Sequence, residues 1–311
     1  MLLPIAIGSP LKQHYKQMKK LTVFTPTYNR AFCLHQVYSS LLQQTSQDFI
    51  WMIIDDGSTD NTKDMVQSWL DLNRITIKYI YQENQGMHGA HNTAYSNIKT
   101  ELNVCIDSDD YMPDNAIELI LNKWESIEHK ENIAGIVGLD VFKTGVVVGT
   151  KLPDNLPYCE LHELYYKYKI KGDKKLVLRT ALVKEYPQYP LFSGERFVPL
   201  GILYLMIDQN YKLACLNEPL CVVEYLPDGS SLNIFKQYKL NPKGFRYSRI
   251  IEIKYTKDLK IKVLKILHLI SSTLFIGDYQ FFKNNSENIL TFFCLPLGML
   301  FHLYILIKVK L

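Results

Sequence analysis

Apolar positions along the first half of the chain switch repeatedly between the two periods of regular structure. Leu21-Thr22-Val23-Phe24-Thr25-Pro26 is a β-rich run stopped by Pro26, after which Leu34, Val37, Tyr38, Leu41 and Leu42 recur at helical spacing. Phe49 to Ile54 is a wholly apolar run closed by Asp55-Asp56-Gly57-Ser58-Thr59-Asp60, and Met65, Val66, Trp69 and Leu70 mark the helix that follows. A third strand, Ile75 to Ile80, and a helix from about His88 to Ile98 lead to Val104-Cys105-Ile106-Asp107-Ser108-Asp109-Asp110. Strands this apolar need cover on both faces. The alternation therefore predicts an α/β fold with a doubly wound, mostly parallel sheet. Further on, Ile117, Ile120, Leu121, Trp124 and Ile127 predict a helix, Ala134 to Asp140 and Val146 to Val148 predict strands around a Gly145 turn, and Leu200 to Ile207 predicts a short helix. Residues 151–175 are rich in Lys and Tyr and have no clear period.

In a sheet of this kind ligands sit outside the carboxyl ends of the strands. Pro26 to Arg30, Asp55 to Asp60, Asn84 to His91 and Asp107 to Asp110 all fall there. The last of these places three carboxylates within four positions. Their mutual repulsion is relieved by a hard divalent cation, or by an acidic helix start before Pro113 and Asp114. No GxGxxG or GxxxxGK[ST] pattern occurs, which disfavours nicotinamide enzymes and P-loop nucleotide hydrolases. A nucleotide held through base and ribose, with a metal on its phosphates, fits better.

Four motifs, Thr25-Pro26-Thr27-Tyr28-Asn29-Arg30, Asp55-Asp56-Gly57-Ser58-Thr59-Asp60, Asn84-Gln85-Gly86 with Ala90 and Asn92, and Asp107-Ser108-Asp109-Asp110, resemble in order and spacing glycosyltransferase family 2. These are inverting, nucleotide-sugar-dependent enzymes of the GT-A fold, and the resemblance covers about residues 21 to 225. It implies that Pro26 and Tyr28 wall the nucleobase and that Thr25 is among the residues binding the nucleotide-sugar. Asp55 or Asp56 would accept a hydrogen bond from the imide of uracil, which favours UDP-sugars over CDP-sugars. A plain turn with an N-cap at Ser58 or Asp60 is the other reading of that stretch. Asn84 would meet ribose or base. Asp107, Ser108 and Asp109 match the family's DxD, with Asp107 and Asp109 as the metal positions and Mn²⁺ or Mg²⁺ as the cofactor. Many relatives carry a lysine where this chain has Met87, so His88 stands as the candidate cationic partner of the diphosphate, against the reading of a solvated loop histidine. Glu195, in Ser193-Gly194-Glu195-Arg196, matches the carboxylate that deprotonates the acceptor hydroxyl. It also reads as a partner of Arg196 or a helix cap. Asp208 is a weaker candidate.

Composition adds a compartment and a boundary. Six scattered cysteines without a CxxC pair signal neither zinc nor a disulfide framework, which favours a reducing cytosol. Net charge is only +4, giving no case for nucleic acid. From Leu226 onward there are 13 Lys plus Arg against 5 Asp plus Glu, so the first 225 residues are acidic by 4. The expected organisation is an N-terminal extension at 1–20, with Met18 as a candidate translation start, a catalytic domain at 21–225 and a basic, apolar region at 226–311. Lys254, Lys257, Lys262 and Lys265 among apolar residues predict a basic amphipathic helix, and the 19 residues from Ile289 to Ile307 carry no formal charge. Pro296, Gly298 and His302 make that stretch a poor straight span, so an in-plane or re-entrant anchor on the cytoplasmic face of the cell membrane is expected. The partners implied are a nucleotide-sugar donor, a glycan or polyprenyl-linked acceptor and the membrane surface. A sugar nucleotidyltransferase is disfavoured because no glycine-rich basic loop follows the first strand. A vestigial, non-catalytic membrane-bound scaffold is disfavoured by intact Asp107, Asp109 and Glu195.

Overall fold

The computed structural model describes residues 19–224 and 234–310. Strands β1 (Leu21–Thr27), β2 (Phe49–Asp55), β3 (Ile77–Tyr81) and β4 (Leu102–Cys105) lie parallel, β1 pairing with both β2 and β4 and β2 with β3. Next to β4 comes β7 (Lys174–Arg179), antiparallel to β4 on one side and to β5 (Ile133–Val141) on the other. β8 (Lys212–Val222) runs parallel to β5, and the two-residue β6 (Tyr158–Cys159) closes the edge antiparallel to it. The order is β3-β2-β1-β4-β7-β5-β8-β6.

Alternate residues of β1 and β2 feed opposite cores, as a period of two requires. Leu21, Val23, Trp51 and Ile53 face Leu34, Val37 and Leu41 of α1 (Ala31–Leu42), Trp69 of α2 (Thr62–Leu72) and Ile117, Ile120 and Trp124 of α4 (Ala116–Glu125). Phe24, Met52 and Ile54 face Ala90, Ala94 and Tyr95 of α3 (Met87–Asn97) and Leu203 and Ile207 of α7 (Gly201–Ile207). Thr25 is fully buried and accepts the Trp51 indole N–H at 3.0 Å, so it belongs to the core and not to the expected nucleotide-sugar contacts. The strand expected at Val146 to Val148 reduces to a single bridge between Val147 and Val141. Residues 151–175 contain a helix, α5 (Leu161–Tyr166), the one-turn α6 (Thr180–Val183) follows β7, and at the sheet edge the Cys159 and Cys215 thiols lie 3.5 Å apart.

The C-terminal region is helical: α8 (Ile234–Leu240), α9 (Pro242–Tyr255), α10 (Leu259–Ile276) and α11 (Asn288–Lys310). α10 packs on α9 and α11 on α10 through Ile253, Ile266, Leu269, Ile270 and Cys294. The pairings Lys262 with Glu287, Ile270 with Gly298 and Ser271 with His302 advance together, so α10 and α11 run side by side in one direction. Two of the lysines expected to face a membrane are used internally. Lys262 pairs with Glu287 and Lys265 with Glu252 at 2.9 Å. Lys254 and Lys257 remain exposed. α11 continues unbroken through Pro296, without the turn a re-entrant loop needs. By length and composition it could cross a membrane, and it leaves Phe292, Phe293, Leu297, Leu300 and Leu303 exposed. The proposed start at Met18 and the boundary at Tyr225 lie outside the described residues.

The α10–α11 contact is close at Gly298, where a Cβ would sit 2.5 Å from the Ile270 side chain. Overpacking of that kind costs about 1–3 kcal/mol. Gly298→Val should therefore lower the thermal midpoint of the detergent-solubilised protein and expose α11 to limited proteolysis. An unchanged midpoint would show that the helices can separate freely there.

Candidate active site

The strand ends open onto a cleft of about 680 Å³. Its lining combines Pro26, Tyr28, Arg30 and Asp56, the acidic turn Asp107, Ser108, Asp109 and Asp110, the charged group Asp140, Lys174 and Lys175, and the apolar or aromatic Leu161, Phe197, Leu200 and Tyr204. Of the residues expected from sequence, Pro26, Tyr28, Asp56, Asp107, Ser108 and Asp109 reach this cleft.

Local hydrogen bonds explain why the first two loops stay together. Asn29 adopts φ +53° and its Oδ1 accepts the Thr59 N–H at 2.7 Å, while Ser58 Oγ accepts the Asn29 N–H at 2.9 Å. Asp55 is fully buried, its two oxygens taken by the Ser58 N–H at 2.8 Å and the Tyr79 hydroxyl at 2.5 Å. It braces the loop and is not available to a nucleobase. Asp56 does face the cleft. It accepts from Gln82 Nε2 at 2.6 Å and from the N–H groups of Gln85 and Gly86 at 2.9 and 2.8 Å, leaving about one acceptor position of roughly four unused. Burial raises its pKa against those bonds. Gly86 has to be glycine: its φ is +82°, and a Cβ would lie 2.0 Å from the Arg196 carbonyl oxygen. Asn84 is half-buried beside Gly57 and does not line the cleft.

The acidic turn follows from β4. Ile106 continues the ladder by donating its N–H to the Phe24 carbonyl, and the Asp110 N–H then closes onto the Asp107 carbonyl at 3.0 Å. The Lys175 ammonium lies 4.0 Å from both Asp110 and Asp140. Burial alone would lower the Lys175 pKa, but Cys221 and the carboxylates of Asp140, Asp110 and Asp107 outweigh it and hold the group charged. Burial lifts Asp110 to about 7 and also raises Asp140, whose Oδ1 has no hydrogen-bond partner among the described residues. Lys174 Nζ is used differently. It donates to the carbonyls of Val148, Lys171, Gly172 and Asp173, and so pins the loop at the cleft edge.

Three expectations are corrected by burial and bonding. His88 is only 1% exposed, and burial, followed by His91 and Arg196, pulls its pKa down to about 4. A neutral, enclosed imidazole cannot be the diphosphate's cation at neutral pH. Glu195 is turned away from the cleft: its Oε1 accepts the Lys243 N–H at 2.9 Å and its Oε2 the Gly244 N–H at 2.8 Å. The carboxylate thus neutralises the start of α9, where helix dipole and unpaired N–H groups favour an anion. Asp208 does the same for α5, accepting from the N–H groups of Leu161 and His162 at 2.6 and 2.7 Å. What sequence reading missed is Asp140, Lys175 and Tyr204. The available signal was Lys174-Lys175 heading the apolar run Leu176-Val177-Leu178, a lysine carried into a buried strand.

Glu195→Gln should lower stability by about 1–2 kcal/mol through the start of α9 while leaving turnover per folded molecule within a few-fold of wild type. Chemical denaturation paired with initial rates separates the two, and a collapse of turnover at unchanged stability would restore Glu195 as the base. For Asp208, burial raises the folded-state pKa from 3.8 to about 6. Stability from its neutral form is complete below 3.8 and is lost as pH rises through about 6. Thermal melts between those values should fall more steeply for wild type than for Asp208→Asn.

Comparison with known proteins agrees with this architecture. The family model described as glycosyl transferase family 2 matches residues 22–169. An uncharacterised glycosyltransferase of Nostoc sp. is 33% identical over 107 residues, 34% of this chain and 33% of its own length. The poly(ribitol-phosphate) beta-N-acetylglucosaminyltransferase TarP of Staphylococcus aureus is 27% identical over 233 residues, 70% of this chain and 67% of TarP. The chain thus spans a third of one relative and two thirds of the other. Among solved structures, S. aureus TarS 1-349 in complex with UDP-GlcNAc superposes with a TM-score of 0.57 at 19% identity, covering 84% of this chain and 73% of TarS 1-349. The sheet with its helical layers is accordingly a GT-A fold, and residues 22–169 of the chain carry a glycosyl transferase family 2 domain.

Proposed function

We propose that this protein transfers a sugar, with inversion, from a nucleotide-sugar, UDP-linked, to a hydroxyl of a glycan or polyprenyl-linked acceptor at the cytoplasmic face of the membrane. The observation that carries this reading is that Tyr28, Asp56, Asp107 and Asp109, drawn from three separate strand ends, line one cleft. Tyr28, 49% exposed, offers a ring face to a base, and Asp56 keeps an acceptor position for an imide N–H. The TarP and TarS likenesses, with a polymer acceptor in one name and UDP-GlcNAc in the other title, support the same class of donor and acceptor.

Among the described residues no three His, Cys, Asp or Glu groups converge as a self-contained metal cage. A divalent cation serving a diphosphate does not need one. Mg²⁺-type sites take one or two carboxylates and complete their shell with phosphate oxygens and water. Asp107 and Asp109 are hard oxygen donors facing the cleft, so they fit Mn²⁺ or Mg²⁺, which when bound supplies positive charge where the diphosphate leaves. The acceptor hydroxyl oxygen forms the new bond to the anomeric carbon as the bond to the diphosphate breaks, and its proton passes to a cleft carboxylate rather than to Glu195. Lys175 holds Asp110 and Asp140 in place beneath the reacting groups.

Calorimetry of the detergent-solubilised protein against UDP, GDP, CDP and dTDP, with Mn²⁺ and with chelator, tests the reading. UDP should bind alone among the four, with metal, and Asp109→Ala should weaken it at least about tenfold, a loss of roughly 1.4 kcal/mol. No nucleotide binding under any condition would overturn the catalytic reading in favour of a non-catalytic scaffold.

A further inference from the structure

Two sulfur atoms meet at the outer edge of the sheet. β6 pairs with β8 through Tyr158 with Ala214 and Cys159 with Leu213, and the Cys215 N–H donates to the Pro157 carbonyl at 2.9 Å. Cys159 and Cys215 thus stand diagonally on facing strands, and a period of two puts both side chains on one face. Their sulfurs lie 3.5 Å apart. A disulfide closes at about 2.05 Å, so the two have to approach by about 1.5 Å. β8 is held on its other side by β5, where Cys215 pairs with Val137, whereas β6 is two residues long and lies at the end of the strand order. The edge strand is therefore the part that gives.

The other sulfurs are placed differently. Cys33 faces the Arg30 carbonyl at 3.5 Å, Cys105 the Asp107 carboxylate at 3.7 Å and Cys221 that of Asp110 at 3.6 Å, and Cys294 is packed among the C-terminal helices. The two members of the pair are also unequal. Cys159 is 1% exposed, whereas Cys215 is half-buried and open to a small solute. The hydrogen bond with Cys159, helped by Lys123, lowers the Cys215 thiol below its ordinary value against the effect of burial, while the same bond and burial raise Cys159. That division suits an attacking thiolate and a resolving thiol.

We propose that Cys159 and Cys215 are an oxidation site, in which a hydroperoxide joins them as a disulfide that ties β6 to β8 and fixes the start of α5 beside the cleft. The Cys215 thiolate attacks a peroxide oxygen; the O–O bond breaks, a sulfenic acid forms, and the other oxygen leaves as water or alcohol after taking a proton. The Cys159 sulfur then attacks the Cys215 sulfur, the S–O bond breaks, and hydroxide leaves as water with the Cys159 proton. Two thiols lose two electrons and the peroxide gains them. Neither step depends on the transferase reading. Cys159 is followed by Glu160 and then directly by α5, whose Leu161 and Tyr165 line the cleft. Asp208 already holds the Leu161 and His162 N–H groups. A second tie just upstream removes opening of the edge strand from the motions of that helix start.

To test this, the reduced full chain in uncharged detergent micelles is treated with hydrogen peroxide, quenched by alkylation and mapped by mass spectrometry. Expected is a peptide that joins Cys159 to Cys215, lighter by two hydrogen atoms than its parts and released by dithiothreitol. The pair should form at least about tenfold faster than any other cysteine of the chain is oxidised. Cys159→Ser should stop at a sulfenic acid on Cys215 that dimedone traps, and Cys215→Ser should leave Cys159 unreacted. In oxidised wild type, amide exchange over Leu161–Tyr166 should slow at least about threefold. Peroxide that leaves the pair reduced, or that carries Cys215 to a sulfinic acid without joining it to Cys159, overturns the proposal. A joined pair with unchanged exchange in α5 overturns the tie to the cleft wall. The mapping and the exchange are both read on wild type, so they decide the matter even where a serine variant fails to fold.

Discussion

Whether four carboxylates can share the end of one cleft turns on a single ammonium group. Lys175 sits 4.0 Å from both Asp110 and Asp140, and with these side chains mostly buried water screens the acids from one another only weakly. The sheet topology is what brings it there. β7 runs antiparallel between β4 and β5, with Lys175 opposite Gly138, two positions before Asp140, while Val177 pairs with Val104, which leads into the acidic turn. A purely parallel sheet at this point would have set β5 directly beside β4 and left like charges facing each other. The inserted strand therefore answers an electrostatic need as much as a packing one.

The first half of the fold was legible because its chemistry is local. Pure apolar runs such as Phe49 to Ile54, each closed by a polar loop, define parallel strands almost by themselves, and α1 to α4 follow within a residue or two of their apolar spacing. Asp56, Asp107 and Asp109 were legible for the same reason, being turn residues at strand ends. β7 was not: two lysines open it, and nothing in its own sequence says that acids 35 and 65 residues upstream will neutralise one of them. Asp55 and Asp56 are adjacent and identical in type, and only the tertiary partners Tyr79 and Gln82 decide which is a buried brace and which lines the cleft. Glu195 carried a motif-level expectation that a distant backbone overrode.

Glu195 and Asp208 together illustrate how this protein uses acid outside the cleft. Each holds two backbone N–H groups at the start of a helix from another part of the chain, Glu195 at α9 and Asp208 at α5. One clamps the C-terminal helices onto the catalytic domain, and the other positions Leu161 and Tyr165 at the cleft wall. The C-terminal helices are thus built into the catalytic domain at the very edge of its cleft.

The strand order carries a last consequence, for synthesis. β1 to β4 are contiguous in sequence and complete their mutual pairing by residue 105, so the parallel half of the sheet can assemble while the chain is still emerging. β5 has no such freedom: its neighbours are β7 and β8, which begin at residues 174 and 212. From residue 133 until then, all but the last two residues of one of the most completely buried strands of the protein lack a strand partner, Val147 bridging only Val141 at its end. That interval is the nascent chain's window of exposure to wrong pairing, and it closes only when the lysine-headed strand slots between its neighbours.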